Sequence, residues 1–220
     1  MKRLSILAGL LLGASACCHA QTATLDVTVR TTGGQPIADA VVVAVPNDPA
    51  ALSGAKPRAE QIEQVDKEFV PKVRPVFVGS TVAFPNQDSV RHHVYSFSPA
   101  KRFELPLYAG LPSQPVLFDK PGVVVLGCNI HDWMIGYVYV SESPWFAKTG
   151  ADGKARISDL PPRSYSVRVW HPQQDGAEQD TGKALDVAAG QHAEMAWTIA
   201  LKPEVRVRRA PTGGGHMGHY

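Results

Sequence analysis

The segment Gly127-Cys128-Asn129-Ile130-His131-Asp132-Trp133-Met134-Ile135-Gly136 spaces a thiol, an imidazole and a thioether as C-x2-H-x2-M. Thiolate and imidazole bind copper strongly, and a thioether binds it weakly through a soft sulfur. Two His and one Cys in a trigonal plane, with a distant axial Met, make a one-electron copper centre. Such a centre needs a second histidine. His92 and His93 stand upstream, after Asn86-Gln87-Asp88. Adjacent strand residues point to opposite faces, so one of the pair can share a metal with Cys128. The same residue types do not exclude zinc, although structural zinc favours more Cys and His and little Met.

These side chains must be positioned by strands. Apolar Val123 to Leu126 precedes the segment, and alternating Tyr137 to Val140 follows it. The three candidate ligands therefore sit in a short loop, which can bend them toward one point as a straight strand cannot. Strand signals run through Val73 to Val78, Thr81 to Phe84, His92 to Phe97, Pro115 to Phe118, Val123 to Leu126 and Gly136 to Val140. Glycine and proline separate them at short intervals, which predicts an antiparallel sandwich or barrel. Upstream, Leu25, Val27 and Val29 alternate with polar residues, Gly33-Gly34-Gln35-Pro36 is a turn, and Val41 to Val45 is an apolar run. Downstream of Pro144 lie a turn at Asp152-Gly153 and strand runs at Ala155 to Ile157, Tyr165 to Trp170, Ala184 to Val187 and Met195 to Leu201. Residues 48–60 read as a loop, and Arg58 to Asp66 predicts one short helix. No tandem repeat is present.

The chain has 220 residues, with 19 glycines and 18 prolines, a punctuation that suits short strands and turns. A formal charge of +2 gives no basic footprint for nucleic acid. Lys2 and Arg3, the apolar run Leu4 to Ala14 and the small-x-small site Cys18-His19-Ala20 read as a signal peptide cleaved after Ala20, which predicts a periplasmic protein. Cleavage removes Cys17 and Cys18 and leaves Cys128 alone. A single thiol in an oxidising compartment needs a use, here as a ligand rather than an inert core side chain. Ala14-Ser15-Ala16-Cys17 is weakly similar to a lipoprotein box without its usual leucine, which makes lipid anchoring the alternative. No later run is long and apolar enough to span a membrane.

The ligand segment resembles the cupredoxins, the small blue copper proteins. C-x2-H-x2-M and Met134-Ile135-Gly136-Tyr137-Val138-Tyr139-Val140 are similar to amicyanin. Phe84-Pro85-Asn86 followed by His92-His93-Val94 resembles the N…H-x-V of plastocyanin and amicyanin. Phe69-x-Pro71 and Val78-Gly79-Ser80-Thr81-Val82 resemble the cupredoxin opening. More closely, the run is similar to bacterial cupredoxin-like "methylamine utilisation" proteins. The resemblance implies a Greek-key sandwich over residues 67–141 with His92, Cys128, His131 and Met134 as ligands of one copper ion. It also implies that His131 is the ligand nearest the surface and the electron exit. Two positions depart from the pattern: His93 stands where asparagine is common, and the Cys128–His131 loop lacks proline. Gly34-Gln35-Pro36-Ile37-Ala38-Asp39-Ala40-Val41-Val42-Val43, with Thr149, Asp152-Gly153, Leu160-Pro161-Pro162 and Tyr165-Ser166-Val167, resembles a carboxypeptidase regulatory-like sandwich over 24–48 with 145–201.

The expectation is an all-β chain, a cupredoxin sandwich combined with a second β-sandwich, carrying one copper between Cu(I) and Cu(II) as an electron carrier. Copper delivery without an electron-transfer role is the alternative, and a structural, adhesin-like protein with a vestigial site is a third class. A redox protein would dock on an apolar patch near His131 and Trp133, extended by Ile135. No enzyme is expected, because His-x-His pairs, a second cysteine after cleavage and paired general acid–base carboxylates are missing. His171 is expected to be structural and His192 solvated. His216, Met217 and His219, in the flexible tail expected over 203–220, are further candidates for metal.

Overall fold

The computed structural model describes residues 21–112 and 114–203. The expected signal peptide, with Cys17 and Cys18, and the tail candidates His216, Met217 and His219 lie outside the described residues. Strands β1 (Ala23–Thr31) and β2 (Val41–Pro46) come first. Then follow β3 (Ala59–Gln61), β4 (Glu63–Val65), β5 (Glu68–Val70), β6 (Val73–Phe77) and β7 (Ser80–Ala83). Next are β8 (His92–Ser98), β9 (Lys101–Tyr108), β10 (Val116–Phe118), β11 (Gly122–Cys128) and β12 (Ile135–Ser141). The last are β13 (Phe146–Lys148), β14 (Lys154–Leu160), β15 (Ser164–Trp170), β16 (Lys183–Asp186) and β17 (His192–Ile199). The fold is all-β, and no helix among the described residues is long and apolar enough to cross a membrane.

Four sheets stack as successive layers. The outermost is β14-β1-β17, in which β1 and β17 run parallel. Alternation along β1 puts Leu25, Val27 and Val29 inside, where they share a core with Val42 and Ala44 of β2, Val167 and Val169 of β15, and Trp197 and Ile199 of β17. The second layer is thus β13-β2-β15-β16. The third is the five-stranded sheet β6-β12-β11-β8-β9, and the fourth is β10-β7-β3. Val82, Val94, Phe118, Val124, Leu126 and Val138 fill the core between these last two layers.

The two sandwiches are joined back to back. Val41 and Val43, the outward residues of β2, are buried against Val73 of β6 and Tyr139 of β12. The Trp170 ring lies 5.4 Å from that of Tyr139 and 5.9 Å from that of Tyr137. A polar clasp borders the joint: the Tyr139 hydroxyl donates to Glu178 at 2.6 Å, and Arg168 reaches both Glu178 and Glu142. Val41 to Val45 is apolar at every position because both faces of β2 are covered.

The helix expected over Arg58 to Asp66 is instead the pair of short strands β3 and β4. Ile62 and Gln64 are fully buried while Gln61 is exposed and Glu63 is not buried, an alternation that a helix would not give. β9, absent from the sequence expectation, is an edge strand that tolerates Pro106; exposed Arg102 and Glu104 alternate with partly buried Phe103 and Leu105.

His171, at the end of β15, is buried, and its Nδ1 accepts the Gln173 amide. Burial holds it below the ordinary imidazole pKa; Asp39 opposes this, Lys72 adds to it, and the Ala38 backbone opposes it. The native state therefore favours the neutral ring, and the unfolded chain takes up the proton first as pH falls through about 6.5. Stability is lost from there down toward the lower folded value. Urea unfolding of the metal-free protein between pH 7.5 and 5 should show a smaller acid-side loss for His171→Gln than for the wild type. Parallel pH profiles would contradict this assignment.

Candidate metal centre

Register brings the candidate ligands together. β11 pairs antiparallel with β8, so Gly127 lies opposite Tyr95 and Cys128 opposite Val94, two residues from His92. β11 also pairs with β12 up to Gly127 opposite Ile135, and the seven-residue connection between those two holds Cys128, His131 and Met134. The Met134 amide donates to the His131 carbonyl at 2.9 Å, turning the loop back on itself.

Nδ1 of His92 lies 3.7 Å from the Cys128 sulfur, and Nδ1 of His131 lies 3.8 Å from it. The three ligand atoms are all within 4.8 Å of one another. Bonds of about 2.3 Å to sulfur and about 2.05 Å to nitrogen, opened to a trigonal 120°, place the two atoms about 3.8 Å apart. The two sulfur–nitrogen distances thus match those of a donor set sharing one first-row metal ion. Met134 is buried in the same core as Cys128 and lines the same groove.

The surroundings orient His92 and disfavour the charged form of His131. His92 is fully buried and its Nε2 meets the Asp88 carboxylate at 2.7 Å, so Nδ1 is the nitrogen turned toward Cys128. The same carboxylate accepts the Asp66 amide at 2.7 Å and the Lys67 amide at 2.9 Å. Burial raises the Asp88 pKa, but the bonds from the Lys67 amide, His92 and the Asp66 amide outweigh it and leave the group below its usual value. His131 is held below the ordinary imidazole value by burial first, then by His92 and Lys67, with Asp88 opposing. His131 is less buried than His92, and its ring centre lies 5.1 Å from that of Trp133 with the planes tilted by 54°.

A buried polar platform supports the strand end that carries His92. Asn86 donates to the carbonyls of Val90 and Tyr108 and accepts the Asp88 amide, which pins the 86–90 loop. The Tyr108 hydroxyl donates to the Phe84 carbonyl and accepts from Gln64. Burial, opposed by the Gln64 bond and aided by Cys128, pushes Tyr108 up to about 12, so it stays a donor.

His93 faces away from the cluster, with Nε2 3.0 Å from Glu104. His171 is far along the chain at the joint, and half-exposed His192 contacts Thr24 and Asp26 on the outer sheet. Ile130 and Ile135 are exposed beside the ligand loop, while Trp133 is half-buried against His131. Phe97 and Val125, absent from the sequence expectation, continue that apolar surface along the five-stranded sheet. Asp88 was also missed as a functional residue; its only sequence signal is a carboxylate four residues before His92.

No protein-family model matches the chain, and no curated protein matches it. Among solved structures, it is similar to a purple cupredoxin from Nitrosopumilus maritimus, at 28% identity over 38% of this chain and 99% of that one, with a TM-score of 0.33. It is also similar to a copper-containing nitrite reductase from Thermus scotoductus, at 31% identity over 44% of this chain and 27% of that one, with a TM-score of 0.37. An oxidised amicyanin variant matches at 19% identity over 47% of this chain and 99% of that one, with a TM-score of 0.35.

Gly136, two residues after Met134, explains part of the M-x-G spacing. A Cβ there would lie 2.8 Å from Cβ of Phe69, which is itself buried and has nowhere to move. A Cβ on Gly127 would meet only the far end of the Tyr95 ring, at 2.7 Å, which can swing outward. Gly136→Ala should therefore cost about 1–3 kcal/mol in denaturant unfolding, and Gly127→Ala clearly less. Equal costs would remove the Phe69 explanation.

Proposed function

We propose that this chain is an exported mononuclear copper protein that carries single electrons and is not an enzyme. The observation that supports this best is the convergence of Nδ1 of His92 and Nδ1 of His131 on the Cys128 sulfur, at 3.7 and 3.8 Å, with His92, Cys128 and Met134 all buried. His92, Cys128 and His131 would hold the metal, and Met134 would supply the weak axial sulfur. Copper, when bound, supplies a one-electron couple between Cu(I) and Cu(II).

The protein's own contribution is to hold that donor set still. His92 is anchored on its far side, the Cys128 backbone belongs to a paired strand, and His92, Cys128 and Met134 are buried. A fixed set limits rearrangement when the charge changes. His131, the less buried of the two imidazoles, with Ile130 and Ile135 exposed nearby, suits contact with a redox protein through a small, transient interface. Export to the periplasm follows the N-terminal sequence and the single remaining thiol.

The chain from Gln21 onward, given Cu(II), should bind one copper per molecule and show an intense thiolate-to-copper absorption band. The band should bleach reversibly on reduction and vanish in Cys128→Ser. Stoichiometric copper without the band, or rapid surrender of Cu(I) to a chelator, would favour delivery over electron transfer. No copper binding would overturn the proposal.

A further inference from the structure

Resting on the copper assignment above, we propose that Asp88 is a positioning residue that fixes the tautomer and orientation of His92 and biases the site toward the higher metal charge. His92 has no solvent-exposed surface, so water cannot replace the partner of its Nε2–H. That partner is a carboxylate oxygen of Asp88 at 2.7 Å. An unsatisfied donor in this place would carry the full desolvation cost. With Nε2 protonated and facing Asp88, the lone pair on Nδ1 faces Cys128 at 3.7 Å. A flipped ring or the other tautomer would present C–H or N–H to the metal instead.

Asp88 does not simply follow His92. Its two oxygens accept the Asp66 and Lys67 amides, and its own amide donates to Asn86 Oδ1 at 3.0 Å. Asp66 and Lys67 both have positive φ, 54° and 61°, in the tight turn between β4 and β5, so both amides point at one carboxylate. The carboxylate is held by two adjacent backbone amides of one turn, its own backbone is pinned by Asn86, and it presents a fixed acceptor. A fixed acceptor of this kind orients a ligating imidazole and raises its basicity. A more basic imidazole, backed by a full negative charge, stabilises Cu(II) more than Cu(I).

Asp88→Asn and Asp88→Ala separate charge from orientation. The asparagine can keep an oxygen on His92 and Lys67 while losing the charge. It should leave the His92 tautomer in place and lower the affinity for Cu(II) relative to Cu(I) about tenfold. For one electron this is a rise of about 59 mV in reduction potential. Alanine removes both effects. Nitrogen-15 NMR of the copper-free chain should show His92 protonated on Nε2 in the wild type and in Asp88→Asn, and a mixture of tautomers in Asp88→Ala. Circular dichroism would establish that each variant is folded. If the wild type binds copper and Asp88→Asn leaves the potential unmoved, the charge role is overturned while the copper assignment stands. If Asp88→Ala leaves the copper-free tautomer unchanged, the orienting role is overturned whatever the metal result.

Discussion

The antiparallel register of β11 on β8 is the constraint on which the site depends. It sets Cys128 opposite Val94 and so places its sulfur beside His92. Strand side chains alternate with a period of two, so a slip of one residue would send Cys128 to the outer face and exchange His92 for His93. Two apolar cores specify the register. Val124, Leu126 and Cys128 point into the core between the third and fourth layers, as do Val94 and His92. On the opposite face of the same sheet, Tyr137 and Tyr139 pack at the joint with the other sandwich.

Beneath the ligand cluster, polar groups do what apolar packing cannot. The segment from Phe84 to His92 is irregular, and its backbone groups would be unpaired in an apolar interior. Gln64, Asn86 and Tyr108 satisfy them through directed bonds to Phe84, Val90 and the Asp88 amide. Directed bonds have narrow geometry, so they fix a loop where a purely apolar contact would let it slide. Asp88 extends the same network to the turn at Asp66 and Lys67.

The second sandwich changes what surface the sheet carrying the ligand cluster presents. Its joint through Val41, Val43, Val73, Tyr139 and Trp170 covers the β12–β6 side of that sheet. The β8–β11 side stays open, with Phe97 73% and Val125 44% exposed. Segments on either side of the β3–β12 run build that second sandwich, and β1 and β17 close it by pairing in parallel. The joint thus ties both ends of the run that carries the cluster to one body.

By itself the sequence determined residue chemistry and local pattern. C-x2-H-x2-M between two strand signals named three of the proposed ligands, because ligand softness belongs to the side chain and loop placement follows from local alternation. All-β architecture was legible from period-two runs separated by glycine and proline. Strands β3 and β4 were not, since three-residue strands leave too short a pattern and their burial comes from partners far along the chain. Alternation alone left His92 and His93 open and the cupredoxin resemblance selected His92; pairing with β11 is what sets which face of β8 meets Cys128, and it puts His92 there. Asp88 was invisible for the same reason: a loop carboxylate has no pattern of its own. Its meeting with His92, Asp66 and Lys67 exists only once β4, β5 and β8 are packed together. Residue type can state which bonds are possible, whereas tertiary packing sets which atoms come within bonding distance.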